Sequence, residues 1–145
     1  MKDGGNDVGK TAQDDIAVPP GKLILVVDDE VDIIDMFSML LQLNGFRTIA
    51  ASNARQALVL LESEHPDVIV SDCMMPGMDG VAFCAAVRAM PAHEHTPFVL
   101  MSGAPQRHSL VTPNYDVFVR KPFPFEFLLD LLERLKSPAD GSGTL

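Results

Sequence analysis

The sequence is short of basic residues, and this shortage limits the partners that the protein can bind. It has 11 lysines and arginines against 20 aspartates and glutamates, which gives a formal net charge of −9. Proteins that bind nucleic acid contact its phosphates through a basic face, and basic segments also attract proteins to anionic membranes. We therefore expect neither nucleic acid nor a membrane among the partners of this protein.

Long apolar runs, an export signal and a set of paired cysteines are also missing. No apolar run approaches the roughly 20 residues that a membrane-spanning helix needs. Residues 1–5 have no apolar core of a secretory signal. The two cysteines, Cys73 and Cys84, are too few for a disulfide framework, so we expect both to be reduced. These absences predict a cytoplasmic protein.

What the sequence does contain is one segment of domain size between two polar ends. The chain has 145 residues, 47% of them hydrophobic, which suits one domain with a core. Residues 1–21 predict a flexible N-terminal arm, residues 22–136 the folded domain, and residues 137–145 a disordered tail. Residues 4–11 match the phosphate-loop pattern of nucleotide-binding proteins, but the strand and helix that such a loop joins are missing. We therefore predict no nucleotide site there.

Within the central segment, short apolar runs alternate with segments of helical periodicity. The apolar runs predict five strands, at residues 23–27, 46–50, 67–71, 98–101 and 115–119. The periodic segments predict helices at about 31–44, from a cap at Ser52 or Asn53 to about 65, at about 80–90 and at about 123–136. Residues 104–114, with two prolines, predict at most a shortened fourth helix. This alternation predicts an α/β fold: a doubly wound, five-stranded parallel sheet of order 2-1-3-4-5, flavodoxin-like, with helices on both faces.

Reactive side chains follow four of these strands. Asp72 comes directly after the third strand, and Asp28 and Asp29 come directly after the first. Ser102 follows the fourth strand and Lys121 the fifth. The carboxyl ends of parallel strands meet at one edge of the sheet, and ligands bind there at the point where the strand order reverses. We therefore expect the three carboxylates to meet between the first and third strands.

Such a group of side chains suits phosphoryl transfer. Three crowded carboxylates repel one another unless a cation neutralises them, and Mg²⁺ binds carboxylate oxygens while leaving room for phosphate oxygens. Asp72 could then attack phosphorus and become an aspartyl phosphate, with Lys121 and Ser102 contacting the phosphoryl group. Each residue alone also has a structural interpretation, as a helix cap, a turn residue or a solvated charge. Their joint placement at four strand ends favours the functional one.

Four motifs carry a resemblance to a known family. They are Val-Val-Asp-Asp-Glu at 26–30, Ser-Asp-x-Met-Met-Pro-Gly-Met-Asp-Gly at 71–80, Met-Ser-Gly at 101–103 and Arg-Lys-Pro-Phe at 120–123. Over about residues 22–136 the chain resembles the receiver domain of the two-component response regulators, in its stand-alone, CheY-like form. The resemblance implies a phosphorylation-controlled switch or phosphorelay shuttle, which is not a turnover enzyme. Its partners would be a histidine kinase or a histidine phosphotransfer protein and a downstream protein.

The resemblance also implies a role for each site residue. Asp72 would be the phosphoacceptor, and Asp29 and Asp72 would bind Mg²⁺ directly together with the backbone carbonyl of Met74. Asp28 would act on the metal mainly through water. Ser102 would be the switch hydroxyl and Phe118 the aromatic switch residue. Lys121 would pair with the phosphoryl group, and its peptide bond to Pro122 would be cis.

Two other functions stay open at this point. One is a receiver-fold docking module that works without phosphorylation, although the acidic residues, Ser102 and Lys121 are all present. The other is a Mg²⁺-dependent phosphohydrolase with an aspartyl nucleophile. The haloacid dehalogenase-like pattern of such enzymes separates two aspartates by two positions, whereas Asp28 and Asp29 are adjacent.

The last helix carries a possible partner surface. Phe127 and Leu131 are four residues apart, outside the face that five other apolar residues turn inward, and they predict a docking patch for the kinase or for a second copy in a homodimer. The alternative is that Ile16 and Val18 of the arm cover this stripe.

Two further expectations concern packing. The segment from His93 to His95 predicts a solvated loop, and three methionines predict fillers of gaps beside the site. These methionines are Met74, Met75 and Met78.

Overall fold

The apolar runs form a parallel sheet in the computed structural model, which describes residues 21–103 and 114–136. The strands are β1 Leu23–Val27, β2 Arg47–Ala51, β3 Val68–Asp72, β4 Phe98–Ser102 and β5 Val117–Arg120. The described helices are α1 Val31–Leu43, α2 Ala54–Leu60, α3 Gly80–Arg88 and α4 Phe125–Arg134, with a 3₁₀ turn at Pro91–His93. The predicted arm, its cover over the last helix through Ile16 and Val18, the shortened fourth helix and the tail concern residues outside those described.

The strand order β2-β1-β3-β4-β5 confirms the predicted topology and fold class. All neighbouring strands pair in parallel, and their carboxyl ends are in register: Val27 lies opposite Ser71, Asp72 opposite Met101 and Ser102 opposite Arg120. Every residue of β3 and of β4 is buried, as expected for central strands covered on both faces. Among the described helices, none is long and apolar enough to cross a membrane.

Alternate residues along each strand pack into two separate cores, because successive side chains point to opposite faces of a sheet. Ile24 and Val26 of β1 face α1 and α4, and the core there includes Phe37 and Leu128. Leu25 and Val27 face α2 and α3. The carboxyl edge of the sheet, where the predicted site residues lie, is therefore between two layers of helices.

The end of α2 and the start of α4 differ from the sequence predictions for local reasons, and α3 and α4 also end about two residues early, at Arg88 and Arg134. Asn53 caps α2 by accepting a hydrogen bond from the N–H of Gln56 at 2.8 Å, but the helix ends at Leu60 rather than near residue 65. Beyond Leu60 the hydrogen bonds are mixed, since the carbonyl of Leu60 accepts from the N–H groups of both Ser63 and Glu64, at 3.1 and 2.8 Å. The last helix starts at Phe125, two residues late, because Pro124 precedes it and disfavours helical geometry at the residue before itself.

The prediction of a solvated loop around His93 is wrong. His93 is 1% exposed, and its Nε2 lies 2.7 Å from the carbonyl oxygen of Leu61. Arg88 holds the turn in place by donating to the carbonyl oxygens of His93 and Thr96, at 3.1 and 2.7 Å. Because Arg88 supplies these hydrogen bonds, a polar segment can turn back against the helix layer with its ring inside. His95 is exposed, as predicted.

Two other packing predictions need correction. Met74 does not fill a gap, since it is 67% exposed, whereas Met75 is buried and Met78 packs against the core beside α3. Leu131 is half-buried and packs against the core beneath α4, so it does not belong to an exposed stripe. Three residues turn a helix by about 300°, which places Leu131 within about 60° of the buried Leu128. Phe127 alone stays exposed, at 51%.

The first strand is tied to the end of the last helix. The Nζ of Lys22 donates to the carbonyl oxygens of Leu132 and Glu133, at 3.0 and 3.1 Å, and to that of Leu135. These carbonyls lie at the helix end, where no intrahelical donor remains.

Gly21, the residue before Lys22, lies against the turn that follows α1. A Cβ on Gly21 would lie 1.8 Å from the carbonyl oxygen of Gly45, so only glycine fits there.

Both cysteines are free and buried, and Cys84 makes the core sensitive to alkaline pH. Burial raises the pKa of the Cys84 thiol from 9.0 to about 12. Between these values the unfolded chain loses the thiol proton and the native protein keeps it, so the stability that the thiol contributes below pH 9 is lost as the pH rises. In that window the loss approaches at most about 1.4 kcal/mol per pH unit.

Urea unfolding of the wild type and of Cys84→Ala at about pH 7.5 and about pH 10.5 isolates this effect, since all other groups titrate in both proteins. We expect the wild type to be more stable at the lower pH because the variant leaves a cavity. The difference in the free energy of unfolding between the wild type and Cys84→Ala should become smaller at the higher pH, because only the wild type loses the contribution of the thiol. An unchanged difference would show that the thiol titrates normally in the folded protein.

Candidate functional site

The candidate site lies at the carboxyl edge of the sheet, where backbone hydrogen bonds continue past the ends of the strands. The N–H of Asp28 donates to the carbonyl of Ala51 at 3.3 Å, and the N–H of Cys73 donates to that of Met101 at 2.7 Å. These bonds connect the first residues after β1 and β3 to neighbouring strands. The positions of the acidic side chains are therefore set by the sheet rather than by free loops.

Three carboxylates meet at this edge. Oxygens of Asp28, Asp29 and Asp72 lie within 4.8 Å of one another. Asp28 and Asp72 are buried, at 1% and 7% exposed, and Asp29 is exposed at the mouth. The predicted switch point between β1 and β3 thus brings all three predicted acids together.

The buried carboxylate of Asp28 lies in an unfavourable electrostatic environment. Its Oδ1 accepts a hydrogen bond from the N–H of Glu30 at 2.9 Å, but its Oδ2 is buried without a hydrogen-bond partner among the described residues. Burial raises the pKa of Asp28, and the charges of Asp72 and Asp29 raise it further. The Glu30 hydrogen bond and the charge of Lys121 lower it, without cancelling the rise. A buried oxygen without a partner is costly, so this site favours the binding of a cation.

One cation of the chain itself reaches the site. The Nζ of Lys121, at the end of β5, donates to Oδ1 of Asp72 at 2.8 Å. The backbone N–H of Lys121 also donates to the carbonyl of Ser102 at 2.9 Å, which fixes the start of this side chain. The Lys121–Pro122 peptide bond is cis, as predicted.

The donor set fits a hard divalent cation. It consists of carboxylate oxygens only, and one of them, Oδ2 of Asp28, has no hydrogen bond in the described part of the chain to compete with a metal. Mg²⁺ prefers oxygen ligands of this kind, whereas softer metals prefer sulfur or imidazole. Met74 follows Asp72 by two residues, and its side chain is exposed.

The two predicted switch residues lie on the neighbouring strands. Ser102 ends β4 and is 1% exposed. Phe118 lies in β5 opposite Leu100, half-buried, and its ring centroid is 6.2 Å from that of Tyr115. The structure places both residues in the same sheet as the acids, and their roles in switching stay predictions.

Sequence reasoning missed two features around the acids. A Cβ on Gly80 would lie 2.5 Å from the carbonyl oxygen of Asp72, so α3 can start this close to the phosphoacceptor candidate only with glycine. The second feature is a cavity of about 600 Å³ beside Asp29, walled by residues 52–56 and 76–78. No sequence motif predicted that residues 52–56 would lie beside the site. Only the adjacency of β2 and β1 in the sheet brings them to the site.

Comparison with known proteins agrees with this geometry. Regulatory protein AtoC of Escherichia coli (strain K12) is 38% identical over 116 residues, which are 77% of this chain and 24% of AtoC. This chain thus spans about a quarter of that relative. The chemotaxis protein CheY4 of Vibrio cholerae is 31% identical with a TM-score of 0.70, and the match covers 79% of this chain and 98% of CheY4.

A further structure is that of the response regulator protein TrrA from Thermotoga maritima, in complex with Mg²⁺-BeF. It is 30% identical with a TM-score of 0.71, over 79% of this chain and 98% of TrrA. The family model of the response regulator receiver domain matches residues 24–133, which include all four strand ends that carry the site. The chain therefore belongs to the response regulator receiver domain family.

Proposed function

We propose that this receiver domain accepts a phosphoryl group on Asp72, with the help of Mg²⁺, and passes the change on to a partner protein. The observation that carries the proposal is the surroundings of one carboxylate. Asp72 has two further carboxylates within 4.8 Å and the ammonium group of Lys121 at 2.8 Å. An acid pocket with a single cationic donor is what phosphoryl transfer to a carboxylate requires.

The metal would be held by carboxylate oxygens of Asp29 and Asp72 and by the backbone carbonyl of Met74, with Asp28 acting mainly through water. When bound, Mg²⁺ would neutralise the acids and the phosphoryl oxygens. Two observations support this assignment. The Oδ2 of Asp28 has no other partner in the described residues, and the similar TrrA structure is a complex with Mg²⁺-BeF.

The remaining steps belong to the protein. A carboxylate oxygen of Asp72 attacks phosphorus, and the bond from phosphorus to the donor breaks with its electron pair leaving on the donor. Lys121, which already pairs with Asp72, then follows the negative charge to the phosphoryl oxygens. Ser102 donates its hydroxyl to the phosphoryl group, and Phe118 on the adjacent strand responds to the movement of Ser102. Burial of Ser102 supports a role inside the site rather than in a surface turn.

The alternatives have less support. A docking module without phosphorylation gives no reason for Asp28 to stay buried with an unpartnered oxygen, at a cost in stability. The phosphohydrolase alternative lacks the required spacing, because its two aspartates lie two positions apart while Asp28 and Asp29 are adjacent. Receiver domain relatives are signalling proteins, which also favours a domain that accepts a phosphoryl group on itself over an enzyme that hydrolyses a phosphorylated substrate.

One prediction of this proposal concerns the phosphoacceptor. Incubation with acetyl phosphate and Mg²⁺ should add one phosphoryl group, detected by intact-mass measurement, and the adduct should be absent without Mg²⁺. Asp72→Ala should carry no adduct because the nucleophile is gone. Asp32→Ala, which removes an exposed carboxylate of α1, is the matched control and should be modified like the wild type. Equal modification of Asp72→Ala and the wild type would refute the assignment.

Another prediction of this proposal separates metal binding from the response to phosphorylation. Lys121→Ala should bind Mg²⁺ at least as tightly as the wild type, because the ammonium group 2.8 Å from Asp72 no longer opposes a second cation there. It should lose the amide resonance shifts in β4 and β5 that beryllofluoride with Mg²⁺ causes in the wild type. Weaker Mg²⁺ binding together with unchanged shifts would contradict both parts.

The surface that receives the phosphodonor protein is proposed to be the exposed face of α1. Met36, Met39 and Leu43 are 42%, 57% and 75% exposed there, an unusual run of apolar side chains on a surface helix. Beside them, a cavity of about 290 Å³ runs between α1 and the start of α4 and ends at Lys121. Phe127 extends this apolar surface, since its ring centroid lies 6.5 Å from that of Phe123 in the cavity wall. An apolar helix face of a histidine kinase or histidine phosphotransfer protein could lie there with its histidine near Asp72.

This surface can be tested with Met36→Glu combined with Phe127→Glu. Both side chains are exposed, so the double variant should fold and accept phosphoryl groups from acetyl phosphate normally. Phosphotransfer from histidine kinases of the source organism should fall at least about tenfold, because charges now face an apolar partner. Val59→Glu, at a 63% exposed apolar residue of α2, is the control and should transfer normally. Normal transfer with a loss of self-association in sedimentation would instead assign the surface to a homodimer.

A further inference from the structure

The cavity of about 600 Å³ beside the acid pocket has a second cationic residue in its lining, which the proposed phosphorylation does not use. The lining combines Asp29 with two segments, residues 52–56, which include Arg55, and residues 76–78 after β3. Arg55 also lines a neighbouring, largely apolar cavity beside α2. An acidic residue of the acid pocket and an arginine therefore line the same cavity.

The other polar side chains of the Arg55 wall are already engaged with each other. The backbone N–H and the hydroxyl of Ser52 both donate to Oε1 of Gln56, at 3.0 and 2.9 Å. Oδ1 of Asn53 accepts from the N–H of Gln56 at 2.8 Å. These bonds hold the wall in one conformation and leave few of its side-chain groups for a ligand.

Arg55 is different from these neighbours. It is exposed in the cavity wall, and its guanidinium group has neither a hydrogen bond nor an ion pair with any residue in the ranges 21–103 and 114–136. Lys121, the cation within the acid pocket, is bonded to Asp72 and is assigned to the phosphoryl group. A guanidinium group presents a planar pair of donors that matches a carboxylate, whereas an ammonium group does not. Arg55 is therefore suited to bind a carboxylate that enters this cavity.

We propose that Arg55 selects the chemical class of small-molecule phosphodonor by binding the carboxylate that leaves from an acyl phosphate. The inference rests on the proposed phosphorylation of Asp72. An oxygen of Asp72 forms a bond to phosphorus, and the bond between phosphorus and the acyl oxygen breaks. The electron pair stays on that oxygen, so the products are the aspartyl phosphate and a free carboxylate anion, with no proton required.

The charge on the leaving oxygen grows as the bond breaks, so a guanidinium group beside it stabilises the transition state more than the bound donor. Phosphoramidate behaves differently, because its nitrogen leaves as neutral ammonia with the proton that it already carries. Arg55 should therefore accelerate transfer from acyl phosphates and give no such help to phosphoramidate.

The test compares the second-order rate constants of Asp72 phosphorylation by acetyl phosphate and by phosphoramidate, both with Mg²⁺. Arg55→Ala should slow the reaction with acetyl phosphate by about tenfold, because a charge-assisted pair is lost, and change that with phosphoramidate by less than about twofold. Arg55→Lys should give an intermediate rate with acetyl phosphate. Arg134→Ala removes a 76% exposed arginine of α4 and should leave both rates unchanged. Equal slowing with both donors, or no slowing with either, would overturn the inference.

A binding measurement keeps this inference distinguishable from the proposed function. Acetate is the carboxylate that leaves from acetyl phosphate and has no phosphorus to transfer, and its binding can be followed through the amide resonances of residues 52–56. The wild type should show saturable shifts, and Arg55→Ala should show them only at about tenfold higher concentration. If neither donor modifies the wild type, the role of Asp72 fails, while these shifts still decide the role of Arg55. Identical shifts in both proteins would reject Arg55 as a ligand.

Discussion

The mutual repulsion of three carboxylates is the interaction on which the rest of this structure depends. Oxygens of Asp28, Asp29 and Asp72 lie within 4.8 Å of one another, and two of the side chains are buried. Like charges this close disfavour each other's charged forms, and in a flexible loop they could relax by moving apart. Here the charges are held by the sheet, since Asp28 directly follows β1 and Asp72 is the last residue of β3, and both strands are buried in the centre of the sheet. The free energy of two cores therefore maintains an unfavourable charge cluster, and ligand binding can relieve it. Lys121 relieves it in part through Asp72, and Oδ2 of Asp28 stays without a protein partner in the described residues.

Much of this arrangement could be predicted from the sequence because topology, rather than fine packing, creates it. Strands buried on both faces appear as short runs of apolar residues, so the strands and their order were predicted correctly. Once the order was known, the acids had to meet, since parallel strands end at one edge. Packing that depends on long-range hydrogen bonds could not be predicted. His93 seemed solvated because its neighbours in sequence are polar, but Arg88 and Leu61, 5 and 32 residues away, supply the partners that let it be buried. Arg55 escaped notice for the same reason, because only the pairing of β2 with β1 brings its wall beside Asp29.

The prediction of an exposed apolar stripe on α4 was only half right. Five apolar residues at helical spacing seemed to complete the inward face, which left Phe127 and Leu131 as a second stripe. A helix packed on a sheet buries a wide arc, however, and residues about 60° from its centre still contact the core. Leu131 lies within this arc and Phe127 outside it, so the apolar stripe ends at one residue. The rest of the exposed apolar surface, which Leu131 does not supply, comes from a different helix, since Met36, Met39 and Leu43 of α1 are exposed. A pattern read along one helix cannot reveal a surface that two helices form together.

Because the acids lie between two helix layers, a phosphodonor could approach Asp72 from either face of the sheet. On the α1 and α4 side, Lys121 is among the residues that line a mainly apolar cavity, which we propose receives the phosphodonor protein. On the α2 side, Asp29 and Arg55 are among the residues that line a more polar cavity, which we propose receives a small anionic donor. The two cavities have no lining residue in common. Substitutions in one should therefore leave the other intact, because residues on opposite faces of the sheet that share no partner affect function almost independently. A single phosphoacceptor could in this way serve two classes of donor, each recognised by its own helix layer.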